Sequence, residues 1–397
     1  MHQAVANRET LAPVDVDVAG NALRLFTESP PLISSMADDL RSAEHRAWVE
    51  SYTFADDAAG RAIAEVLKER AAAGVDCRLM YDAVGSFDTP QALFDDVAAA
   101  GVKVHAFHTL GHVLWKYASL RMFNRRNHRK ITVVDDHVCY FGGMNIVDQS
   151  GIDSVEDAKA RDLPLSAGWR DVHVRLTGPA QTDVARAFES LWQRIHDRRR
   201  QRWPVWQINK MLSSQSDSIF FFDSRPRLYI RQPSRVLVPL LRRARHTITL
   251  SMAYFIPVGD VLKELLRARR RGVTVRVIVP GVSDVPPVQW ASRYLYERLL
   301  RRGIRIYERS DQMLHSKVMV IDGLWSVIGS CNLDPRSLRL NLEFMAVIQS
   351  AELASAITAI CQYEQRHSEP VNLNQCRNRP WWHHLLDRTA WSLRRWL

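Results

Sequence analysis

Two histidine–lysine pairs give this sequence its chemistry. His128 and Lys130 lie two residues apart in NHRK, and His315 and Lys317 repeat that spacing in LHSK. Only eight of the 54 basic residues are lysines, so composition alone seldom produces this coincidence twice. In extended backbone, residues two apart project to one face, so each segment would present an imidazole and an ammonium together. Imidazole titrates near neutrality and serves equally as nucleophile or proton carrier. One histidine can attack phosphorus while the other, protonated, delivers a proton to the leaving alkoxide. Two fixed ammonium groups stabilise the phosphoryl oxygens in the transition state. They supply charge that a metal often supplies, and neither metal nor cofactor is expected.

Each pair heads a longer pattern, Asn127–Asn145 (NHRKITVVDDHVCYFGGMN) and Leu314–Asn332 (LHSKVMVIDGLWSVIGSCN). Asn145 follows His128, and Asn332 follows His315, at the same 17-residue spacing. Asn145 and Asn332, with Gly143 and Ser330 just before them, are expected to support the phosphate. Asp135 and Asp322 complete the two motifs and count with the catalytic set. Their odd spacing from the histidines turns them to the opposite strand face, which assigns them a structural task at the strand ends. Asp171 in WRDVHV and Glu343 in LNLEF can each accept from a histidine Nδ1–H, fixing the tautomer and freeing Nε2. Asp171 lies 26 positions after Asn145, against 11 from Asn332 to Glu343, so the first half carries an insertion within Gly151–Gly168.

The elements that must position these residues also occur twice. An apolar run (Trp48–Phe54), a helical stretch (Ala59–Ala73), a glycine turn at Gly74 and the strand VDCRLMYD recur as Ile248–Phe255, Gly259–Arg271, Gly272 and VTVRVIVP. A further glycine-led strand follows in each half, GVKVHAF and GIRIYER. Apolar period switching between 2 and 3.6 predicts βαβ units with a parallel sheet. The fold class is therefore α/β: two similar α/β/α lobes from an internal duplication, related by a pseudo-twofold axis with the active site at their interface. Residues 1–200 form the first lobe and 201–370 the second, with a junction in Arg198–Lys210, and 371–397 form an amphipathic Trp/Arg-rich tail.

The 397 residues are 46% hydrophobic and carry a net charge of +11, which favours an anionic partner: nucleic acid, phospholipid or another phosphate ester. Cys77, Cys139, Cys331, Cys361 and Cys376 form no C-x-x-C pair, which excludes a zinc cluster or disulfide framework and fits a reducing compartment. Residues 1–20 lack the apolar core of a secretory signal, and no run is long and apolar enough for a membrane-spanning helix, so contact with lipid is expected to be peripheral.

The duplicated H-x-K-x4-D-x6-G-[GS]-x-N pattern resembles the phospholipase D superfamily. The runs NLDPRS and LNLE and the late Pro-Trp-Trp are most similar to the shorter bacterial cardiolipin synthases, the cardiolipin synthase B type. That resemblance implies a phosphatidyltransferase joining two phosphatidylglycerol molecules through a phosphohistidine, with release of glycerol. It implies His128 as nucleophile and His315 as acid then base, an order that the symmetry of the sequence leaves open. It also implies that Glu343 orients His128 and Asp171 orients His315, each from the opposite half. Its setting would be peripheral, on the cytoplasmic face of the bacterial inner membrane.

Three segments are candidates for an anionic membrane surface, the stretch around Trp203 and Trp206 being the weakest and equally readable as a domain linker. In the tail, Trp382, Leu385, Leu386, Thr389, Leu393 and Trp396 fall near one helical face, with His384, Asp387, Arg388, Arg394 and Arg395 elsewhere. The apolar insert Phe107–Asn127 leads directly into His128. Two other readings are open: a phosphodiesterase hydrolysing phospholipid or nucleic acid, and a non-catalytic anionic-lipid-binding protein. The apolar insert and tail speak against a polynucleotide partner, and the intact second motif speaks against loss of catalysis. Oligomeric state is not encoded in any recognisable pattern.

Overall fold

The computed structural model describes residues 11–107, 125–148, 168–196, 216–224 and 232–396. The expected junction at 198–210, and most of the 107–127 insert and the 151–168 insertion, lie outside them. The first lobe is built on strands β1 (Val14–Val18), β2 (Asn21–Phe26), β3 (Arg46–Ser51), β4 (Asp76–Asp82), β5 (Lys103–Phe107), β6 (Ile131–Val134), β7 (Val138–Gly142) and β9 (His173–Thr177), in the spatial order β1-β2-β9-β7-β6-β3-β4-β5. The second uses β10 (Ser218–Asp223), β11 (Thr247–Met252), β12 (Thr274–Pro280), β13 (Arg305–Arg309), β15 (Lys317–Ile321), β16 (Trp325–Gly329), β17 (Phe344–Gln349) and β18 (Ser368–Pro370), in the order β10-β17-β16-β15-β11-β12-β13-β18. The duplication thus appears as β3-β4-β5 against β11-β12-β13, and β6-β7-β9 against β15-β16-β17.

Only those first three strands of each lobe run parallel; the motif-bearing strands join them antiparallel, so each sheet is mixed rather than parallel as expected. The reason is local. The helices Ala58–Ala72 and Gly259–Arg270 provide the crossovers that parallel pairing needs, whereas three-residue turns join β6 to β7 and β15 to β16. Gly74 and Gly272, just past those helices, take φ of 88° and 90°, a left-handed conformation that glycine adopts without a Cβ penalty.

Asp135 and Asp322 hold these turns. The amides of Glu44, His45 and Arg46 donate to Asp135 at 2.9, 2.8 and 2.9 Å. Arg245, His246 and Thr247 donate to Asp322 at 2.7, 2.8 and 2.8 Å. Both aspartates have positive φ, 45° and 53°, which a short polar side chain tolerates. They sit at the far end of β6 and β15 from the histidines. Their inclusion in the catalytic set is corrected accordingly: they fasten the start of the neighbouring strand. Burial would raise the Asp135 carboxyl, but the three amides outweigh it and hold the group below its ordinary value.

The lobes meet across a continuous apolar layer. Phe141 of β7 packs against Phe221 of β10 and Phe344 of β17, with ring centroids 5.3 and 6.1 Å away, and Phe221 stacks on Phe344 at 5.4 Å. The helices Gln181–His196 and Ala351–Arg366 add to the same core. Truncating one such phenylalanine would cost about 3–5 kcal/mol, enough to make the two lobes one packed unit.

Replacing Asp135 or Asp322 by alanine strands three amide donors, and we expect each change to lower the unfolding free energy by about 2–3 kcal/mol in chemical denaturation. Turnover of the remaining folded protein should stay within about twofold of the parent, because neither side chain reaches the histidines.

Candidate active site

The histidines do not lie within the sheet ladders, as the sequence pattern suggested. β6 starts at Ile131 and β15 at Lys317, so His128, Lys130 and His315 ride on extended segments that enter the strands. Those segments cross to the other lobe. Asn127 bridges to Leu342, and the His128 amide donates to the Leu342 carbonyl at 2.9 Å. In the mirror arrangement β8 (Trp169–Arg170) pairs in parallel with β14 (Met313–Leu314), and the His315 amide donates to the Arg170 carbonyl at 2.7 Å. Each histidine backbone is therefore anchored to the residue just before the opposite lobe's carboxylate.

That anchoring brings the side chains together. His128 Nδ1 lies 3.1 Å from Glu343 Oε2, and His315 Nδ1 lies 2.8 Å from Asp171 Oδ2. All four groups are nearly or fully buried. Lys317 Nζ is 3.0 Å from the same Asp171 oxygen and 2.6 Å from His315 Nδ1, while Lys130 Nζ donates to the His128 carbonyl at 2.8 Å. Lys130, Lys317 and His315 all act electrostatically on His128, in keeping with two pairs that face one pocket. Asn145 and Asn332 are buried beside them; Asn145 Oδ1 accepts from the Thr53 amide at 3.3 Å, and Asn332 Oδ1 has no hydrogen-bond partner.

The two half-sites differ electrostatically. Burial, reinforced by Lys130, Lys317 and His315, pushes His128 well below its ordinary value and keeps it neutral. Burial and Lys317 also lower His315, but Asp171 opposes them. Burial alone would raise Asp171; Lys317 and His315 outweigh it and hold that carboxylate low. Glu343 is pushed up to about 7 by burial, offset in part by the Ser330 hydroxyl donating at 2.5 Å. Burial, helped by Lys317, also brings Lys130 down to about 7.

Gly143 and Ser330 explain part of this difference. A Cβ on Gly143 would lie 2.1 Å from Asp171 Oδ1, so only glycine lets that short carboxylate reach His315. Ser330 occupies the matching place in the second lobe and turns its hydroxyl onto Glu343 instead. Each sets a carboxylate, and the Ser330 backbone also bonds His128.

Several participants escaped sequence reasoning. The Tyr52 ring stands edge-on to His128 at 5.1 Å, and Trp169 and Tyr254 flank His315 at 5.3 and 6.2 Å. Ser224 Oγ accepts from the Glu343 amide at 2.7 Å. Arg129 pairs with Glu50 at 3.0 Å and Asp223 at 3.1 Å, while Arg170 pairs with Glu364 at 3.2 Å and with Glu28, fixing the residues next to His128 and Asp171. A buried arginine directly beside His128 and beside Asp171 was the available signal; His315 and Glu343 have no such neighbour.

The comparisons agree with this geometry. Residues 36–159 and 237–364 match the family described as "Cardiolipin synthase, PLD-like domain". The chain is 30% identical over 377 residues to "Cardiolipin synthase A" of Serratia proteamaculans, covering 94% of this chain and 74% of that protein. It is 29% identical over 369 residues to "Cardiolipin synthase" of Halalkalibacterium halodurans, covering 92% and 70%. These names bear out the likeness to cardiolipin synthases, without its B-type refinement. Among solved structures, phosphatidylserine synthase from Haemophilus influenzae is similar in fold, with a TM-score of 0.69 at 12% identity over 97% of each chain.

Gly143→Ala is expected to displace Asp171 from His315 while leaving the circular dichroism spectrum unchanged. An ångström-scale misplacement at a catalytic centre costs about 100-fold in turnover, and steady-state assay of the folded variant checks it.

Proposed function

Because the chain belongs to the family of phospholipase D-like cardiolipin synthases, we propose that it joins two phosphatidylglycerol molecules into cardiolipin and glycerol through a phosphohistidine. The observation that carries the reading is the buried pocket in which each imidazole Nδ1 meets a carboxylate from the opposite lobe. Donation of Nδ1–H to that carboxylate leaves Nε2 of each ring to face substrate.

His128 is the nucleophile. It is held neutral, so its Nε2 lone pair is available to attack phosphorus of the donor. The P–O bond to the glycerol headgroup breaks as the P–N bond forms. His315 gives its proton to the departing alkoxide, and the charged Asp171 carboxylate beside it stabilises the imidazolium that precedes this step. In the second half, a hydroxyl of another phosphatidylglycerol attacks the same phosphorus. Its proton passes to His315, the P–N bond breaks and cardiolipin leaves. Lys130 and Lys317, with Asn145 and Asn332, are the groups for the non-bridging oxygens. Glu343, drawn towards ionisation by its Ser330, Asn341 and His128 donors, balances positive charge on the phosphorylated His128 ring.

We also place the chain at an anionic membrane surface, on the cytoplasmic face of the bacterial inner membrane. Among the described residues no helix is long and apolar enough to cross a membrane. The C-terminal helix Trp381–Leu393 supports a peripheral mode. It docks on the helix Pro286–Arg301 through buried Asp387 and Ala390, with Trp391 stacked on Tyr294 at 5.1 Å. Asp387 is matched there by Arg379. The opposite side leaves Trp381, Trp382, Leu385, Leu393 and Trp396 exposed beside Arg388 and Arg395. Ala390 and Trp391 share an apolar cluster with Tyr254, whose ring flanks His315, so this exposed face lies one packing layer from the pocket.

Two experiments test these statements. With phosphatidylglycerol vesicles, His128→Ala and His315→Ala should each abolish cardiolipin formation. With a phosphatidyl donor bearing a p-nitrophenolate leaving group, which needs no acid, His315→Ala should still form phosphohistidine and His128→Ala should not. Cleavage of plasmid DNA by the parent without action on the vesicles would defeat the lipid reading. For the tail, serine at Trp381, Trp382 and Trp396 together should weaken co-sedimentation with those vesicles about tenfold or more, with the thermal midpoint unchanged.

A further inference from the structure

Among the described residues, the buried arginines obey a rule with one exception. Arg129 and Arg170 hold carboxylates at 3.0–3.2 Å, and Arg309 holds Asp311 at 2.8 Å as well as Glu364. Arg126 is 7% exposed, yet its nearest carboxylate, Asp82, stands at 3.9 Å, beyond hydrogen bonding. Asp82 is engaged elsewhere, accepting from the amides of Asn127, Val84 and Gly85 at 2.8, 3.0 and 3.2 Å. A second arginine, Arg336, is half-buried, with its Nε enclosed and without a partner. Burying a guanidinium without a bonded anion is unfavourable, and such a group persists where a ligand supplies the anion.

The two arginines share one wall of the pocket. Arg126 lies two residues before His128, and its carbonyl accepts from the Leu342 amide at 2.8 Å. The Arg336 carbonyl accepts from the amides of Leu340 and Asn341, the residues just before Leu342. Burial lowers Arg126, Asp82 and Tyr52 oppose it in part, and repulsion by Arg336 lowers it further. Both guanidiniums act on the hydroxyl of Tyr52, whose ring stands edge-on to His128. The other charges facing this wall are Asp82, Asp284, Asp334 and Lys130; Asp284 already accepts from the Tyr254 hydroxyl at 2.7 Å, and Asp334 from the amides of Arg336 and Ser337 at 2.7 and 2.9 Å.

We infer that Arg126 and Arg336 form a second phosphate site, which holds the phosphodiester of the acceptor lipid while its hydroxyl attacks the phosphohistidine. The inference rests on the transfer reading above. Two guanidinium forks suit the two non-bridging oxygens of a phosphodiester. The donor's phosphorus must lie against His128 Nε2 between the lysines, so it cannot also occupy this wall. An acceptor phosphatidylglycerol carries its own phosphodiester one glycerol away from the attacking hydroxyl, and needs a second anion site beside the first. A free alcohol carries none. The site therefore selects phospholipid over small alcohols as acceptor, and does not by itself distinguish one phospholipid headgroup from another.

The test sets two acceptors against each other on the full chain. Phosphatidylglycerol vesicles are supplied with radiolabelled glycerol, and cardiolipin formation and label exchange into phosphatidylglycerol are measured together. Exchange uses the same phosphohistidine, with P–N broken, P–O formed to glycerol and the glycerol proton passed to His315. Arg126→Gln and Arg336→Gln should each lower the ratio of cardiolipin to exchange about tenfold or more, and Arg336→Lys should recover part of it. Exchange also reports a folded pocket in every variant. Parallel loss of both activities, or an unchanged ratio, would overturn the second site while leaving the transfer reading intact. A parent protein giving neither product would overturn the transfer reading, and the second site with it.

Discussion

Two short backbone crossings govern this structure: Asn127 with Leu342, and Leu314 with Arg170. Each ties the chain entering a histidine to the chain entering the opposite lobe's carboxylate. The histidine–carboxylate distances are thus set by main-chain hydrogen bonds rather than by flexible side chains alone. The aromatic layer of Phe141, Phe221 and Phe344 keeps the lobes at the separation these crossings need. Buried Arg129 and Arg170, next in sequence to His128 and Asp171, are bonded to carboxylates on both sides of the interface. Buried ion pairs contribute little net stability, but they penalise any docking that leaves a charge unpaired. Their value here is in fixing which residues meet.

A duplicated fold need not give two equivalent half-sites. Asp171 is one methylene shorter than Glu343 and approaches its histidine over a glycine, where it also contacts Lys317. Glu343 approaches beside a serine and collects neutral donors. An ammonium at contact distance stabilises a carboxylate anion far more than a hydroxyl does. One lobe therefore holds a charged carboxylate beside His315, and the other a neutral imidazole facing a carboxyl that titrates near neutrality. Small differences in side-chain length thus give the two histidines unlike surroundings, which the proposed mechanism uses to separate a proton carrier from a nucleophile.

The pocket was legible in the sequence because duplication repeats its spacing. The His-x-Lys pairs, the two asparagines and the distances to Asp171 and Glu343 could be read without coordinates. The structural task of Asp135 and Asp322 followed from strand parity, although motif membership pulled the other way. What escaped notice depends on chain pairing that no local pattern carries. The histidines lie on crossing segments instead of strands, and three of the eight strands in each sheet set a parallel core that antiparallel strands then extend. Tyr52, Trp169 and Ser224 have no partner at matching spacing in the other lobe, so repetition could not reveal them. In the tail, helical periodicity found the apolar face correctly, yet that face points outward because Asp387 is matched by Arg379 within the docked side.

Burial ties these features to the chemistry. A phosphodiester anion is attacked poorly by a neutral imidazole unless its charge is neutralised, and lysines do this best where water is excluded. The same exclusion lowers the lysines themselves, and Lys130 falls to about 7 although Glu343, Asp171 and Asp82 oppose the shift. A bound phosphodiester reverses that shift by supplying the missing counter-charge. Arg126, two residues upstream, has Asp82 no nearer than 3.9 Å, and under the second-site proposal its closer partner arrives with the lipid. A site organised in this way holds positive charge that its carboxylates balance only in part, and under the proposed function lipid phosphates complete it.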